Sequence, residues 1–253
     1  MKSPVSVTYL GGPTIILEIG SLKIMTDPTL DPEGETFHNP TYWKTEGPAT
    51  TDIGHIDTVL LSHDQHNDNL DNAGRELLKT VRQTLTTHIG AERLQGTAKG
   101  LAPWESVTIN SPEGDEITVT ATPARHGPTG VEKLTGEVVG FLVEVKSDAN
   151  LQVYITGDTV FYEGVKEVAE RFDPQYVFIF AGAAKPRGPF NVTMGTNDAI
   201  DTAFAFPKAT IIPVHFEGWS HYTETGDMLR QSFKALGIDD RLNILEPGKK
   251  TSL

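Results

Sequence analysis

The apolar residues of this chain recur with two different spacings, which predict two kinds of secondary structure. Short runs rich in β-branched residues, such as VSVTYL, TIILEIG and TVLLSH, have the length and composition of buried strands. NAGRELLKTVRQ instead repeats its apolar residues with a helical period, so that Leu77, Leu78 and Val81 share one face. Strands come first and strand–helix units follow, and this order occurs twice. The pattern therefore predicts an α/β sandwich of two sheets and two similar halves, with helices outside.

Three local features make narrower predictions. TNDAIDTAFAF is interpreted as a helix with Thr196 or Asn197 as its N-cap, and LNILEP as a last strand. Residues 28–55 are polar, rich in proline and glycine, and without periodicity, which predicts a long loop. Loops of that length in a compact domain are typically functional. Three side chains of the loop are candidates for a pocket wall: His38, Tyr42 and Trp43.

Composition and charge narrow the class of protein and its partners. The chain has 253 residues and no cysteine, so we expect one domain over residues 1–253 without disulfides or thiolate metal ligands. A net charge of −13 without any cluster of basic residues argues against nucleic acid and favours a small-molecule partner. Neither a secretory pattern nor a membrane-length apolar run is present, which predicts a cytoplasmic protein without stable membrane insertion. Homo-oligomerisation stays open.

Side chains that bind metals follow the ends of several predicted strands. Strand ends along one edge of a sheet converge, and loops there carry function on a rigid scaffold, so we expect these side chains to lie together. Imidazole and carboxylate groups suit zinc, and also iron, manganese or nickel. One or two such ions would activate water for hydrolysis. The candidate ligands are His63, His66, Asp68, His126, Asp158 and His215.

Five segments in order resemble the metallo-β-lactamase-fold hydrolases: VTYLGGPTIILEIGSLKIMTDP, LLSHDQHNDNLD, TPARHG, YITGDT and NVTMGTNDAI…IIPVHFEGW. The resemblance covers nearly the whole chain. It is nearest to the branch that contains ascorbate phosphate lactonases and N-acyl phosphatidylethanolamine phospholipases. It implies a four-layer αββα sandwich of two mixed β-sheets, with the helices on the outer faces and the metal ions at one edge.

The same resemblance implies roles for individual residues. His63 and His126 would bind the first metal ion, Asp158 would bridge the two ions, and His215 would bind the second. Asp27 matches a buried aspartate that supports the ligands. Because proline follows it, Asp27 fits the cap of a turn equally well.

The segment SHDQHNDN departs from the family motif His-x-His-x-Asp-His. Aligned without a gap, it places Gln65, Asn67 and Asp68 where the later histidines and the aspartate should stand. With one inserted residue, His66 takes the place of the second histidine, Asp68 that of the aspartate, and Asn69 that of the last histidine. We prefer the gapped alignment because it also restores the Leu-Asp pair that follows. Asn69 would then be a weak, neutral oxygen ligand at the second metal.

Several roles stay open. His221, six residues after His215, is a candidate for the missing imidazole, for a proton donor to a leaving group, or for a surface residue. Asp68 either ligates a second ion or orients the nucleophilic water, so Asp68 and His221 are both candidate catalytic groups. Gly12 stands where the branch usually has a histidine. Candidates for binding an anionic substrate are Arg125, Lys185 and Arg187, which equally fit solvated loop cations.

These expectations combine into a hydrolase in which a metal-bound hydroxide attacks a small ester, lactone or phosphodiester. Zinc, as one ion or two, is expected first, with manganese, iron or nickel as alternatives. The alternative from another class is a metal-binding sensor or scaffold that no longer catalyses, which Asn69 and the altered spacing motivate. A third hypothesis is a redox-active iron for oxygen chemistry.

Overall fold

Two mixed β-sheets form the framework of the protein in a computed structural model, which describes residues 5–34, 42–111, 114–146 and 151–253. The strands of the first sheet are β1 (Val5–Gly11), β2 (Thr14–Ile19), β3 (Leu22–Thr26), β4 (Thr58–Leu60), β5 (Gln83–Thr86), β6 (Ala98–Gly100) and β13 (Lys250–Ser252). They lie in the order β13-β1-β2-β3-β4-β5-β6. The strands of the second sheet are β7 (Ser106–Asn110), β8 (Glu116–Pro123), β9 (Val139–Lys146), β10 (Leu151–Ile155), β11 (Tyr176–Phe180) and β12 (Thr210–Val214). Their order is β12-β11-β10-β9-β8-β7.

Six α-helices lie among the described residues. They are α1 (Asn72–Leu78), α2 (His88–Leu94), α3 (Glu132–Thr135), α4 (Glu163–Arg171), α5 (Thr196–Ala205) and α6 (Gly226–Ala235), with a 3-10 turn at Asp239–Arg241. None of them is both long enough and apolar enough to cross a membrane.

Alternation along the strands divides the buried apolar side chains into layers. In β2, Ile15 and Leu17 belong to the cluster between the two sheets, whereas Ile16 belongs to the cluster on the outer face of the first sheet. This is the period of two that a strand with both faces buried requires. The outer cluster of the first sheet includes Leu78 of α1, and that of the second sheet includes side chains of α4, α5 and α6.

The predicted α/β sandwich of two mixed sheets with helices outside is confirmed, but three details of the prediction are wrong. The first helix ends at Leu78, earlier than the apolar spacing suggests. The N-cap of α5 is Gly195, because the Asp198 carboxylate accepts a hydrogen bond from the Gly195 amide at 3.1 Å. The segment LNILEP forms no strand; it contributes an isolated bridge between Leu242 and Ile211, and the last strand is β13. His38 lies outside the described residues.

Three of the candidate ligands, and Asp27, follow strands that have a parallel neighbour, whereas His126 follows β8, which pairs antiparallel. β3 and β4 are parallel neighbours in the first sheet, and β10, β11 and β12 are parallel neighbours in the second. Asp27 comes directly after β3, His63 shortly after β4, Asp158 after β10, and His215 after β12. Because parallel strands present their carboxyl ends at one edge of a sheet, this topology brings the four side chains together.

A buried ion pair ties the long loop to the first helix. Lys44 Nζ donates hydrogen bonds to Asp71 Oδ2 at 3.0 Å and to the Thr29 carbonyl at 2.8 Å, and both charged side chains are buried. Asp71 is also the N-cap of α1, since its Oδ1 accepts from the Gly74 amide at 2.8 Å. Loss of the ammonium would leave a buried carboxylate without its counter-charge.

Replacing Lys44 by alanine is therefore expected to lower the free energy of unfolding by about 3–5 kcal/mol, measured by urea denaturation. The matched control is Lys79→Ala, which removes an exposed ion pair with Glu76 and should cost about 0.5 kcal/mol or less. Equal losses for the two variants would contradict a stabilising role for the buried pair.

Candidate metal centre

Two groups of histidine and carboxylate side chains come together among the described residues. His63, His66, His126 and Asp158 form the first, and Asp68, Asp158 and His215 form the second. Within each group the ligand atoms all lie within 4.8 Å of one another. Asp158 belongs to both, so its carboxylate stands between them. The residues of the predicted ligand set therefore lie in one place.

The first cluster has the spacing of a tetrahedral ligand set. His66 Nδ1 lies 2.8 Å from His63 Nε2 and 3.2 Å from His126 Nε2. Asp158 Oδ2 lies 3.6 Å from His126 Nε2 and 4.0 Å from His63 Nε2. Ligand nitrogens of a tetrahedral zinc site, at 2.0–2.1 Å from the metal, are about 3.3 Å apart. His66, which only the gapped alignment brings into the motif, takes part in this cluster.

Hydrogen bonds to the far sides of two rings aim their lone pairs at the cluster. His126 Nδ1 lies 2.8 Å from the Val192 carbonyl, which can only accept, so Nδ1 carries the proton. His63 Nδ1 lies 2.9 Å from Ser62 Oγ, and that hydroxyl donates to Asp27 Oδ1 at 2.6 Å. When the rings are neutral, their Nε2 atoms then carry the lone pairs and are available to a cation. Such partners orient metal ligands and raise their basicity.

Asp27 thus reaches the site through Ser62, whose amide also donates to Asp27 Oδ1 at 3.0 Å. Its backbone has a φ of +29° and that of His215 has a φ of +58°, which is uncommon for residues other than glycine. Both residues stand directly after a strand, where these sharp turns redirect the chain. Burial raises the pKa of Asp27 to about 8, because water no longer solvates the charged form and the Asp158 charge lies nearby.

Burial also sets the charge state of the histidines. It lowers the pKa of His63 well below its ordinary value and that of His66 to about 4. Both rings are therefore neutral at pH 7, which is the form that binds metal ions. Burial would raise the pKa of Asp158, but the surrounding imidazoles, His215 first, hold it well below its usual range. The first cluster thus combines the neutral rings of His63 and His66 with an ionised carboxylate.

The second cluster has one imidazole and two carboxylates. His215 Nε2 lies 3.2 Å from Asp158 Oδ1 and 3.6 Å from Asp68 Oδ2. The Tyr222 hydroxyl lies 2.7 Å from the other ring nitrogen, His215 Nδ1. Burial alone would raise the pKa of Asp68, but the pKa is lowered by His221 and then by His215. Asp68 is thus ionised beside these rings.

Asn69 and His221 complete the surroundings of the second cluster. Asn69 is fully buried, and its Nδ2 donates to Asp158 Oδ1 at 3.0 Å, while its Oδ1 has no hydrogen-bond partner. His221 Nε2 lies 2.9 Å from Asp68 Oδ2, and its ring packs against Tyr42 and Tyr222 with centroids 4.3 and 4.5 Å apart. The buried Nδ1 of His221 has no partner. His221 therefore contacts the site rather than the surface.

Gln65, one of the two residues between His63 and His66, has contacts of its own. Its Nε2 donates to the carbonyls of Thr135 and Glu137, each at 3.1 Å, and its Oε1 accepts from Arg93 Nη2 at 2.9 Å. A Cβ atom at Gly136, where φ is +84°, would collide with this amide. Gln65 thus binds the motif to the turn at 135–137 while His66 still enters the cluster.

A cavity of about 110 Å³ opens onto both clusters. Arg187, one of the three predicted substrate-binding cations, lines it, and so does Tyr42 of the long loop. Its full lining is Tyr42, His66, Asp68, His126, Thr135, Asp158, Ala184, Pro186, Arg187, Val192 and His221.

The other two predicted cations do not line this cavity. The Arg125 guanidinium donates to the Gly127 carbonyl and to Thr129 Oγ1, and it stacks 4.5 Å from the centroid of the Tyr162 ring. Lys185 is exposed. A role for either in substrate binding stays a prediction that its contacts do not support.

Sequence reasoning missed several residues of the centre. Ser62 precedes the first histidine, and a hydroxyl beside a ligand is the one signal that would have drawn attention to it. Tyr222 offered no signal beyond its place next to His221. Thr135 and Val192 contribute to the wall of the cavity from segments without a motif. Backbone carbonyls, such as that of Val192, have no sequence signature at all.

Known proteins resemble this chain along its whole length. Residues 23–216 match the family described as the Beta-lactamase superfamily domain. A UPF0173 metal-dependent hydrolase of Methanoregula boonei is 27% identical over 253 residues, which cover 98% of this chain and 97% of that protein. A possible metal-dependent hydrolase from Veillonella parvula has a similar fold, with a TM-score of 0.85 at 22% identity over 99% of this chain and 100% of the other. The isothiocyanate hydrolase from Delia radicum gut bacteria has a TM-score of 0.82 at 22% identity over 98% of each chain.

The chain therefore belongs to the beta-lactamase superfamily, and the matched residues include every member of the two clusters. The family and the fold predicted from the sequence are confirmed. The predicted class, a metal-dependent hydrolase, is the one to which these relatives belong. The narrower branch and the roles of the individual ligands stay predictions.

Replacing Ser62 by alanine removes the acceptor of His63 Nδ1 and a donor to Asp27. The affinity for Zn²⁺ should fall about 10–100-fold, measured by competition with a chromophoric chelator. Ser106→Ala on β7, which is exposed, is the matched control and should keep the affinity of the unmodified protein. An unchanged affinity in Ser62→Ala would show that the hydrogen-bonded chain does not support the metal ligand.

Proposed function

We propose that the protein is a metal-dependent hydrolase that cleaves an ester, lactone or phosphodiester bond of a small molecule. One observation carries the proposal: three imidazole nitrogens and a carboxylate oxygen converge at the wall of a cavity. A metal site accounts for three imidazoles held this close together, with His66 Nδ1 at 2.8 Å from His63 Nε2 and 3.2 Å from His126 Nε2. The activity would belong to a single domain.

The donor set fits a divalent ion. His63 Nε2, His66 Nδ1, His126 Nε2 and Asp158 Oδ2 would hold it, and three nitrogens with one oxygen at tetrahedral spacing favour zinc. When bound, such an ion lowers the pKa of a coordinated water to about 7 and polarises a carbonyl or phosphoryl oxygen. Manganese, iron and nickel are alternatives that metal analysis distinguishes.

The residues that line the cavity would handle the substrate and the water. Asp68 is ionised, so it accepts hydrogen bonds and would orient the attacking water. His221, hydrogen-bonded to Asp68, is placed to contact the reacting group or the leaving group. Tyr42 and Val192 contribute apolar surface that excludes bulk water.

Arg187 suggests the charge of the substrate. It is the predicted cation that lines the cavity, in a protein with a net charge of −13. A guanidinium in this position would pair with a carboxylate or phosphate of the substrate, away from the bond that is cleaved. Anionic small molecules are therefore the preferred class within the proposal.

The central test measures hydrolysis and metal content together. Purified protein should cleave at least one member of a panel of p-nitrophenyl esters, lactones, bis(p-nitrophenyl) phosphate and an aryl isothiocyanate. The isothiocyanate is included because a structural neighbour is named for that activity. Removal of the metal with dipicolinate should abolish turnover, and Zn²⁺ should restore it. His126→Ala should lose both the metal and the activity, since it removes one of four ligands.

His55→Ala is the matched control, because His55 is exposed and should affect neither metal nor turnover. Folded protein that takes up no metal would overturn the proposal. Protein that binds metal and cleaves no substrate of the panel would favour the sensor or scaffold instead.

Arg187→Ala should raise KM for an anionic substrate by about tenfold or more and leave KM for a neutral ester unchanged, because only the charged group loses its partner. Lys185→Ala, an exposed cation two residues away that does not line the cavity, is the control and should change neither value. Steady-state kinetics with both substrates measure the difference. A parallel loss for both substrates would point to a structural role for Arg187.

A further inference from the structure

We propose that the chain holds one metal ion, at the cluster of His63, His66, His126 and Asp158. We further propose that Asn69 prevents a second ion from binding at the second cluster. The inference rests on the proposed function, since it presupposes a metal-dependent protein. It concerns how many ions the chain's own residues admit, which the order of the candidate ligands in the sequence leaves open.

In the first cluster, the three ring nitrogens that face one another carry too few hydrogen atoms for each of them to be hydrogen-bonded. The far nitrogens of His63 and His126 keep their protons and donate to Ser62 Oγ and to the Val192 carbonyl. Their Nε2 atoms therefore both present lone pairs to His66 Nδ1, at 2.8 and 3.2 Å. His66 Nδ1 has at most one hydrogen to share between them. A cation placed among them would satisfy all three nitrogens at once.

In the second cluster, both carboxylates already accept hydrogen bonds from neighbouring side chains. Asn69 Nδ2 donates to Asp158 Oδ1 at 3.0 Å, and His215 Nε2 lies 3.2 Å from the same oxygen. His221 Nε2 lies 2.9 Å from Asp68 Oδ2, within donating distance. The carboxylate oxygens that a second ion would need are thus already hydrogen-bonded by neighbouring N–H groups. A second ion would have to displace these donors.

His221 differs from His63 and His126 in its far nitrogen. A ligating histidine almost always donates its other N–H to an acceptor. His63 and His126 do so, whereas the buried Nδ1 of His221 has no partner. This favours a His221 ring that donates from Nε2 to Asp68 over one that ligates through Nε2. The imidazole that the motif lacks at position 69 is therefore not replaced by His221.

In the alternative arrangement, the side-chain amide of Asn69 is flipped, so that Oδ1 and Nδ2 exchange places. The amide oxygen, which has no hydrogen-bond partner in the first arrangement, would then lie about 3.0 Å from Asp158 Oδ1. Two acceptors at this distance need a cation between them. Asn69 would in that case be the fourth ligand of a second ion. A neutral amide oxygen is a poorer ligand than imidazole for zinc-type ions, so the hydrogen-bonded arrangement is favoured.

The test is the number of ions per chain. After equilibration with Zn²⁺ and removal of free metal, elemental analysis should find one equivalent in the unmodified protein. Titration of the metal-free protein with Co²⁺, followed by visible absorption, should saturate at one equivalent. Asn69→His should raise both values to two, because it removes the amide donor and adds an imidazole beside Asp158 and His215. Asn67→His is the matched control, since it adds an imidazole two residues away at a partly exposed position, whereas Asn69 is fully buried, and it should stay at one.

Asp68→Asn and His126→Ala locate the ion. Asp68 contributes only to the second cluster, so its variant should keep one equivalent, whereas His126→Ala should lose it. This pair decides the question even if Asn69→His fails to fold. Two equivalents in the unmodified protein, reduced to one by Asp68→Asn, would overturn the inference and leave the proposed function intact. A folded Asn69→His that stays at one ion would overturn the role given to Asn69. A protein that binds no metal would overturn the proposed function itself.

Discussion

The carboxylate of Asp158 is the group around which the centre is arranged. One of its oxygens faces the rings of His63 and His126, and the other accepts from Asn69 beside His215. A buried carboxylate is costly unless charged or hydrogen-bonding groups surround it. The strand ends, the sharp turns and the hydrogen bonds behind the rings all serve to place such groups within reach. The fold therefore holds one ionised carboxylate between the imidazoles of the first cluster on one side and His215 with Asn69 on the other.

The parts that the sequence predicted well are those with a strong, repeated signal. Long apolar strands and their alternation specified two sheets, and polar residues at the ends of those strands specified the cluster. His66 was recovered through a gap in the motif, because the neighbouring aspartate and Leu-Asp pair fixed the alignment on its other side. Metal ligands are also few in kind, so their types alone restrict the chemistry.

The structural features that the sequence did not predict depend on contacts with residues distant in the chain. LNILEP has the apolar content of a strand, yet only Leu242 finds a bridge, and Leu245 instead packs into the cluster between the sheets. β6 and β13 have three residues each, too few for any periodicity. Arg125 stands beside a ligand, as predicted, but a tyrosine ring and local oxygen acceptors take up its guanidinium. Proximity in sequence to a ligand does not determine where a long side chain points.

The contacts of Gln65 have a consequence for how this motif can vary. Its amide occupies the space beside Gly136, where a side chain would collide with it and where the positive φ already favours glycine. Gln65 and Gly136 thus form one steric unit. A residue other than glycine at 136 would have to move the Gln65 amide and also adopt the positive φ, so the metal loop restricts which residues the distant turn can accept.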